Sequence, residues 1–466
     1  MNYSVLLRWG VFIPLFIIAG SLPDKNIIYL TILAFGILQS IIVILQQARL
    51  IPSDNPFFCT TGFLGNPGLM GGFQAIALTT CLGFLKTCRN AIPIGLFAVL
   101  IAYSIIISGS RGAWVAALFG SAVLYRTVIA RSHLYSHKSA IIVLLLLCIA
   151  FITGLYFYRP ASANARLLIW NVSANIIQDY PIFGIGPGRF RSVYMLYQAD
   201  YFAKFPLSKF TIVADNAAYP YNEFLRIAIE QGTIGLLIFL ILIFSSINNS
   251  TADNKIAPLA ALLLFSFFSY PADKPSMAIL FPILFGACAN NHSFKFRKSL
   301  IITSLLLLLA TTISALAVWR GIERDTGKIE TTYDKEAMER LKRELPHFYT
   351  DIRFNCRYIE LSKSFNLLRT EALLLRYTLP TCENWCYIGN FYYEAGELKL
   401  AEKYFRQAAN MIPTRLLPKY YLWRLLVAQN RDEEASAMAT IIMTQRTKVE
   451  NTTTIRIKQE VKKSTQ

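Results

Sequence analysis

Histidine is nearly absent: the 466-residue chain has four, and they are scattered. The eight cysteines contain no CxxC pair. Structural and catalytic metals need clustered His, Cys or carboxylate ligands, so no metal site is expected, and nothing in the chain calls for a cofactor. Charge is also scarce, at 16% of residues, with 28 acidic against 46 basic side chains. The resulting excess of +18 lies in a chain too apolar to suggest a nucleic-acid partner. A cleavable leader is missing too: Arg8 interrupts the first apolar run and no small-residue cleavage site follows, so that run is expected to stay as a span. Cys59, Cys81, Cys88, Cys148 and Cys288 lie in or near apolar runs and are expected to pack as small apolar residues, whereas Cys356, Cys382 and Cys386 lie in the tail.

What the chain has in abundance is apolar sequence, 54% of residues. Ten runs, at 5–22, 27–47, 67–86, 91–109, 112–130, 139–157, 232–248, 256–270, 276–291 and 298–319, approach or exceed the length needed to cross a hydrocarbon core of about 30 Å. The expected fold is therefore all-α, a polytopic bundle of about ten spans over 1–319. A large loop at 158–231 interrupts it, and a soluble tail follows. Short loops on one side carry ten Lys/Arg (Lys25, Lys86, Arg89, Arg126, Arg131, Lys138, Lys255, Lys295, Arg297, Lys298) against three on the other (Arg49, Arg111, Lys274). The positive-inside rule puts the first set in the cytoplasm, and the large loop and tail outside. That loop holds seven cations: Arg159, Arg166, Arg189, Arg191, Lys204, Lys209 and Arg226. They suit anionic headgroups or an anionic substrate such as a diphosphate.

The tail divides into 320–450 and a Thr- and Lys-rich end, 451–466, expected to be disordered. Trp385, Ile388, Gly389, Tyr392, Gly396, Ala401, Phe405, Ala408 and Pro413 fall at the offsets of one tetratricopeptide unit, a helix–turn–helix with small residues where its helices approach. Such a module is expected to bind a protein partner or to pack on a neighbouring domain.

Four polar stretches interrupt the apolar part. Asn66-Pro67 in "FLGNPGLMGG" marks a helix start. Arg111, in "SGSRGAW", joins two spans, where a lone charge is a functional candidate. In "ARLLIWNVSANIIQDYPIFGIGPGRF", Leu168, Ile169, Val172 and Ile176 form an apolar stripe, read as a helix lying on the membrane. Arg166 and Trp170 share one face of it, and the glycines aim Arg189 and Arg191. In "ADNAAYPYNEFLRIAIEQG", Glu223, Arg226 and Glu230 share one helical face beside Asn222. This is either a salt-bridge ladder or a base beside anion-binding groups.

Together these stretches resemble the O-antigen ligase and polymerase superfamily, which includes protein O-oligosaccharyltransferases. The matching positions are Phe63 to Pro67, Ser110-Arg111-Gly112, Arg166 with Trp170, Pro181 through Phe190, Asn222 to Leu225, and Glu230-Gln231-Gly232. The resemblance covers roughly 60–240 and implies a GT-C-like bundle. It implies a metal-independent enzyme of the bacterial inner membrane with its active-site loop and tail in the periplasm. Such an enzyme moves a glycan from undecaprenyl diphosphate to a lipid A core, another glycolipid or a protein Ser/Thr. A polymerase joining lipid-linked repeat units is the alternative, and a non-enzymatic scaffold recruiting partners through its tail is a third reading. Arg111 and Arg166 are expected to stabilise the leaving diphosphate, with Arg189 and Arg191 behind them. Asn222 would orient the acceptor, Glu223 accept its proton and Arg226 hold Glu223 ionised, while Trp170 lines the site. The family histidine before this Asn is Tyr221 here, so either Glu223, Asp215 or Tyr221 takes its role, or the histidine is not a base in this branch, or activity is lost.

Overall fold

The computed structural model describes residues 3–89, 91–131, 153–250, 252–289, 298–332, 334–348, 354, 357, 358, 361, 379–448 and 450–464. Most of the expected span 139–157 and of the tail stretch 349–378 lies outside them. Among the described residues every regular element is helical. The apolar part begins with α1 (Tyr3–Ser21), α2 (Asn26–Gln47), α3 (Pro67–Thr87), α4 (Ala91–Ile107), α5 (Arg111–Leu124) and α6 (Arg126–Arg131). The large loop carries α7 (Pro160–Asp179) and α8 (Phe190–Lys204). Then come α9 (Glu223–Asn249), α10 (Asp253–Phe268), α11 (Pro275–Ala278), α12 (Leu280–Cys288) and α13 (Lys298–Thr332). The tail has α14 (Lys335–Phe348), α15 (Cys382–Glu394), α16 (Leu398–Met411), α17 (Leu417–Ala428), α18 (Asp432–Thr444) and α19 (Thr452–Ser464).

Among the described residues four helices are long and apolar enough to cross a membrane: α2, α3, Glu223–Asn248 of α9 and Leu300–Thr332 of α13. The other apolar helices are shorter. Residues such as Leu237, Ile241 and Phe244 on α9 and Leu305, Leu306 and Leu309 on α13 are exposed. A helix that satisfies its own backbone along such a stretch and presents such side chains suits a lipid surround. Asn66 starts α3 as expected: its Oδ1 accepts from the amides of Gly68 (2.8 Å) and Leu69 (3.2 Å), with Pro67 next. α3 packs among α2, α4, α5 and α10 in one apolar core. Close approach is needed there: a Cβ at Gly72 would lie 2.3 Å from the Phe265 ring.

Contacts sort the loops into two ends. At one end Lys25 donates to Ala289 O, Tyr29 reaches Lys255 O, Lys86 reaches Leu124 O, and Arg126 pairs with Asp253. Arg111, α7, the start of α9 and the 270–275 turn gather at the other. Lys25, Lys86, Arg126 and Lys255 of the richer set thus meet at the first end, and Arg111 and Lys274 of the poorer set at the second.

Three expectations change in the loop and tail. The apolar stripe of α7 does not face lipid. Leu168, Ile169, Val172 and Ile176 are buried in a core with Tyr194, Met195 and Phe202 of α8 and with Trp385, Cys386, Tyr404, Ala408 and Met411 of the tail. An apolar stripe marks burial, and its partner here is protein. Most of the 451–466 stretch is ordered, for Thr452–Ser464 is helix α19, and Ile457 and Val461, one turn apart, are buried beside α17 and α18. Composition missed that pair. The boundary at 319/320 falls inside α13, which runs unbroken to Thr332. In the tail, α15 and α16 form a hairpin in which Trp385, Ala401, Phe405 and Ala408 are buried, and a Cβ at Gly389 would meet the Phe405 ring.

Candidate active site

The glycine motif and the end of the Glu223 helix prove to be one structure. α9 breaks at Gly232 (φ 67°, ψ −166°), a conformation open essentially to glycine alone. The Pro181–Gly188 loop lies against the break. Ile185 N donates to Ile229 O (2.9 Å), Gly186 N to Glu230 O (2.9 Å) and Thr233 N to Pro181 O (2.8 Å). Carbonyls and an amide left unpaired by the kink are thereby satisfied. Contact is so close that a Cβ at Gly232 would sit 2.1 Å from Ile182 O. Gly184, Gly186 and Gly188 all have positive φ, so the loop turns tightly and delivers Arg189 and Arg191 to the start of α8.

Before α9 the chain makes a second special turn. Tyr221 has φ 53°, a left-handed conformation that costs a non-glycine residue about 1–3 kcal/mol. Next to it Asn222 caps α9, its Oδ1 accepting from Leu225 N at 3.0 Å. Glu223 is 2% exposed. Its Oε2 accepts from Arg226 Nε (2.6 Å) and its Oε1 from Ala272 N (2.8 Å), which ties α9 to the 270–275 turn. Glu230 accepts from Phe190 N (3.3 Å) at the start of α8.

A cavity of 1110 Å³ opens at this corner. Arg191, Tyr219, Glu223, Arg226, Asp273 and Lys274 line its polar mouth. Its floor runs between α1, α9 and α12 and is apolar, with Phe12, Phe16, Ile238, Leu242, Phe281 and Phe285. Arg191 is held by Ala218 O (Nε, 3.0 Å) and Asp273 Oδ2 (Nη2, 3.3 Å), and lies 4.4 Å from the Tyr219 ring centroid. Lys274 Nζ is 5.9 Å from the same centroid. Tyr219 stacks on Tyr270 at 4.1 Å, and Tyr270 meets Tyr221 edge-on at 5.3 Å. Burial and the nearby Asp273 push the Tyr219 hydroxyl up to about 12.

Across the tyrosines lies a second cationic group. Arg166 sits over the Tyr221 ring at 5.5 Å. Burial, and then the charge of Arg111, pull the Arg166 guanidinium below its ordinary value. Arg111 Nη1 donates to Leu155 O (2.6 Å), and the Trp170 indole donates to Pro220 O (3.0 Å). Neither Arg111 nor Arg166 has a carboxylate partner among the described residues, and Arg166 is partly buried on a tyrosine face, so the pair suits an anion.

Residues 96–240 match the O-antigen ligase family. That stretch, from α4 into α9, therefore resembles an O-antigen ligase domain. None of the curated proteins matches the chain. The matched stretch holds every candidate site residue named from the sequence, though not the Phe63–Pro67 motif, and the fold gathers them unequally. Arg191, Glu223 and Arg226 line the cavity; Arg111, Arg166 and Trp170 lie behind Tyr221; Asn222 serves the helix cap. Arg189 is exposed at the start of α8. Two mouth residues, Asp273 and Lys274, fall outside the O-antigen ligase match and were missed. Their one signal was a charged pair between prolines in the short turn "YPADKPS".

Proposed function

We propose that the chain is an O-antigen ligase-like glycosyltransferase that moves a glycan from undecaprenyl diphosphate to an acceptor. We place it in the bacterial inner membrane with about ten crossings, its large loop and tail in the periplasm. The observation that carries this reading is the two-part cavity. An apolar floor between α1, α9 and α12 suits a polyprenyl chain, and a mouth with Arg191, Arg226 and Lys274 suits the diphosphate that ends it. The acceptor hydroxyl attacks the anomeric carbon, the bond from that carbon to the diphosphate oxygen breaks, and negative charge grows on the leaving group. Fixed cations in a site shielded from water stabilise that charge, so the chemistry needs no metal. Arg111 and Arg166 supply a second anion subsite behind Tyr221.

A base must take the acceptor proton. Both Glu223 oxygens are engaged and its side chain is 2% exposed, whereas Asp273 is 20% exposed at the same mouth. Asp273 is therefore our first candidate, and Glu223 holds the corner together. The tail hairpins, as tetratricopeptide units, support the loop with one face and leave the others for a partner.

The test is glycan transfer by the purified chain in nanodiscs supplied with a lipid-diphosphate glycan. Lys274→Ala and Arg191→Ala are each expected to lower the rate by about 10²-fold, with the protein still folded. Undiminished transfer by the double variant would refute the assignment of the mouth. Ligase and polymerase share this donor chemistry. A deletion strain separates them: a polymerase loss leaves single repeat units attached to the acceptor, and a ligase loss leaves the acceptor bare.

A further inference from the structure

The strap 214–222 enters the site from the tail's side. Asn216 Oδ1 accepts from Cys382 N (3.2 Å), a first-turn amide of α15 that has no partner within its own helix. Asn216 Nδ2 donates to Glu383 Oε2 at 2.7 Å. The Asp215 carboxylate accepts from Lys448 Nζ (3.0 Å) and Arg415 Nη2 (3.4 Å). Gln198 of α8 closes the junction, its Nε2 donating to both Asp215 O (3.2 Å) and Met411 O (2.6 Å). Contacts to the strap thus come from three separate places in the tail. A few residues on, the same strap supplies Ala218 O to Arg191, Pro220 O to Trp170, the Tyr219 and Tyr221 rings, and the Asn222 cap.

Resting on the reading of the site given above, we propose that Asn216 is a positioning residue through which the C-terminal helices fix the pose of the strap at the cavity mouth. The exposed Asp215 pairs are screened by water and contribute little by themselves. Asn216 is different, because it joins a helix-start amide and a carboxylate through one side chain of fixed geometry. Freed from α15, the strap keeps its sequence but loses the constraint that holds Arg191 and the tyrosines in register. Small misplacements of this kind are costly to a reaction that depends on orientation.

A donor–acceptor exchange tests the proposal on the full chain in nanodiscs. Asn216→Asp sets two carboxylates against each other. Combined with Glu383→Gln, the hydrogen bond returns with donor and acceptor reversed. Hydrogen exchange of the strap peptide and kcat at saturating donor are read together, with α17–α18 exchange as the control for overall folding. Asn216→Asp is expected to speed strap exchange and to lower kcat about ten-fold, the size of one charge-assisted hydrogen bond, with α17–α18 unchanged. The Asn216→Asp, Glu383→Gln pair is expected to restore both. A strap that loosens without loss of kcat overturns the positioning role, and so does a strap equally protected in all variants. Absence of transfer by the unaltered chain would instead refute the reading of the site, leaving strap exchange to decide the latch.

Discussion

At the residue scale the site turns on which of three neighbouring side chains does chemistry. Glu223 bonds Arg226 and the Ala272 amide, and removing one member of a buried pair costs about 3–5 kcal/mol. Glu223→Gln should therefore lose stability first and activity as a consequence, seen as a lower melting temperature. Asp273→Asn should behave in the opposite way, with melting little changed, since an amide oxygen still accepts from Arg191, and kcat down by about 10²-fold or more, the scale of a lost general base. Tyr221→Phe keeps the ring under Arg166 and the same turn, so it should retain most activity. An inactive Tyr221→Phe beside an active Asp273→Asn would move the proton acceptor to the tyrosine. The Glu223–Arg226 pair was readable from helical spacing. The engagement of both Glu223 oxygens was not, because one partner is a backbone amide from another turn. Asp273 escaped notice for a related reason: an aspartate in a short inter-helix turn looks like turn chemistry until the turn is seen at the mouth of a cavity.

At the element scale the kink in α9 is the feature on which the site's shape depends. Gly232→Ala would place a methyl carbon 2.1 Å from Ile182 O at a φ of 67°, with no side chain that can move aside. It should prevent the glycine loop from docking, and the expected result is loss of folded protein, followed by size-exclusion yield and melting temperature. Gly65→Ala is the comparison: it too has positive φ, but nothing lies within 4 Å of its Cβ, so it should cost only about 1–2 kcal/mol of backbone strain. Equal stability of the two variants would show that loop docking does not depend on the close approach at Gly232. Both halves of this unit were visible in the sequence, the glycine run at 184–188 and the Glu-Gln-Gly at 230–232. Their union was not visible, because periodicity reports local structure and says nothing of which distant backbone satisfies a broken helix. The helix start at Asn66 was legible for the opposite reason, since a cap is decided within a few residues.

At the scale of the whole molecule, the sequence separates a greasy bundle from a helical tail, while the fold joins the tail to the large loop. A helix–turn–helix pattern accounts for burial inside the α15–α16 hairpin, where Trp385, Tyr404 and Met411 lie. It is silent about neighbours, and those same residues share a core with Ile169, Val172, Ile176, Tyr194 and Phe202 of the loop. Each of these five is at most 6% exposed. Each side chain re-exposed would cost up to about 1.5–3 kcal/mol. Even partial uncovering of all five is comparable with the roughly 5–15 kcal/mol that holds a whole domain together. A chain ending at residue 378 should therefore still insert, because α2, α3 and α9 keep their apolar faces, but its loop should open. Limited trypsin digestion is expected to cut at Arg189, Lys204 or Lys209 in the truncated chain well before it does so in the full one, and glycan transfer should be lost with it. A truncated chain that resists trypsin and transfers glycan at the full rate would mean that the loop stands on the bundle alone and that the tail serves only a partner.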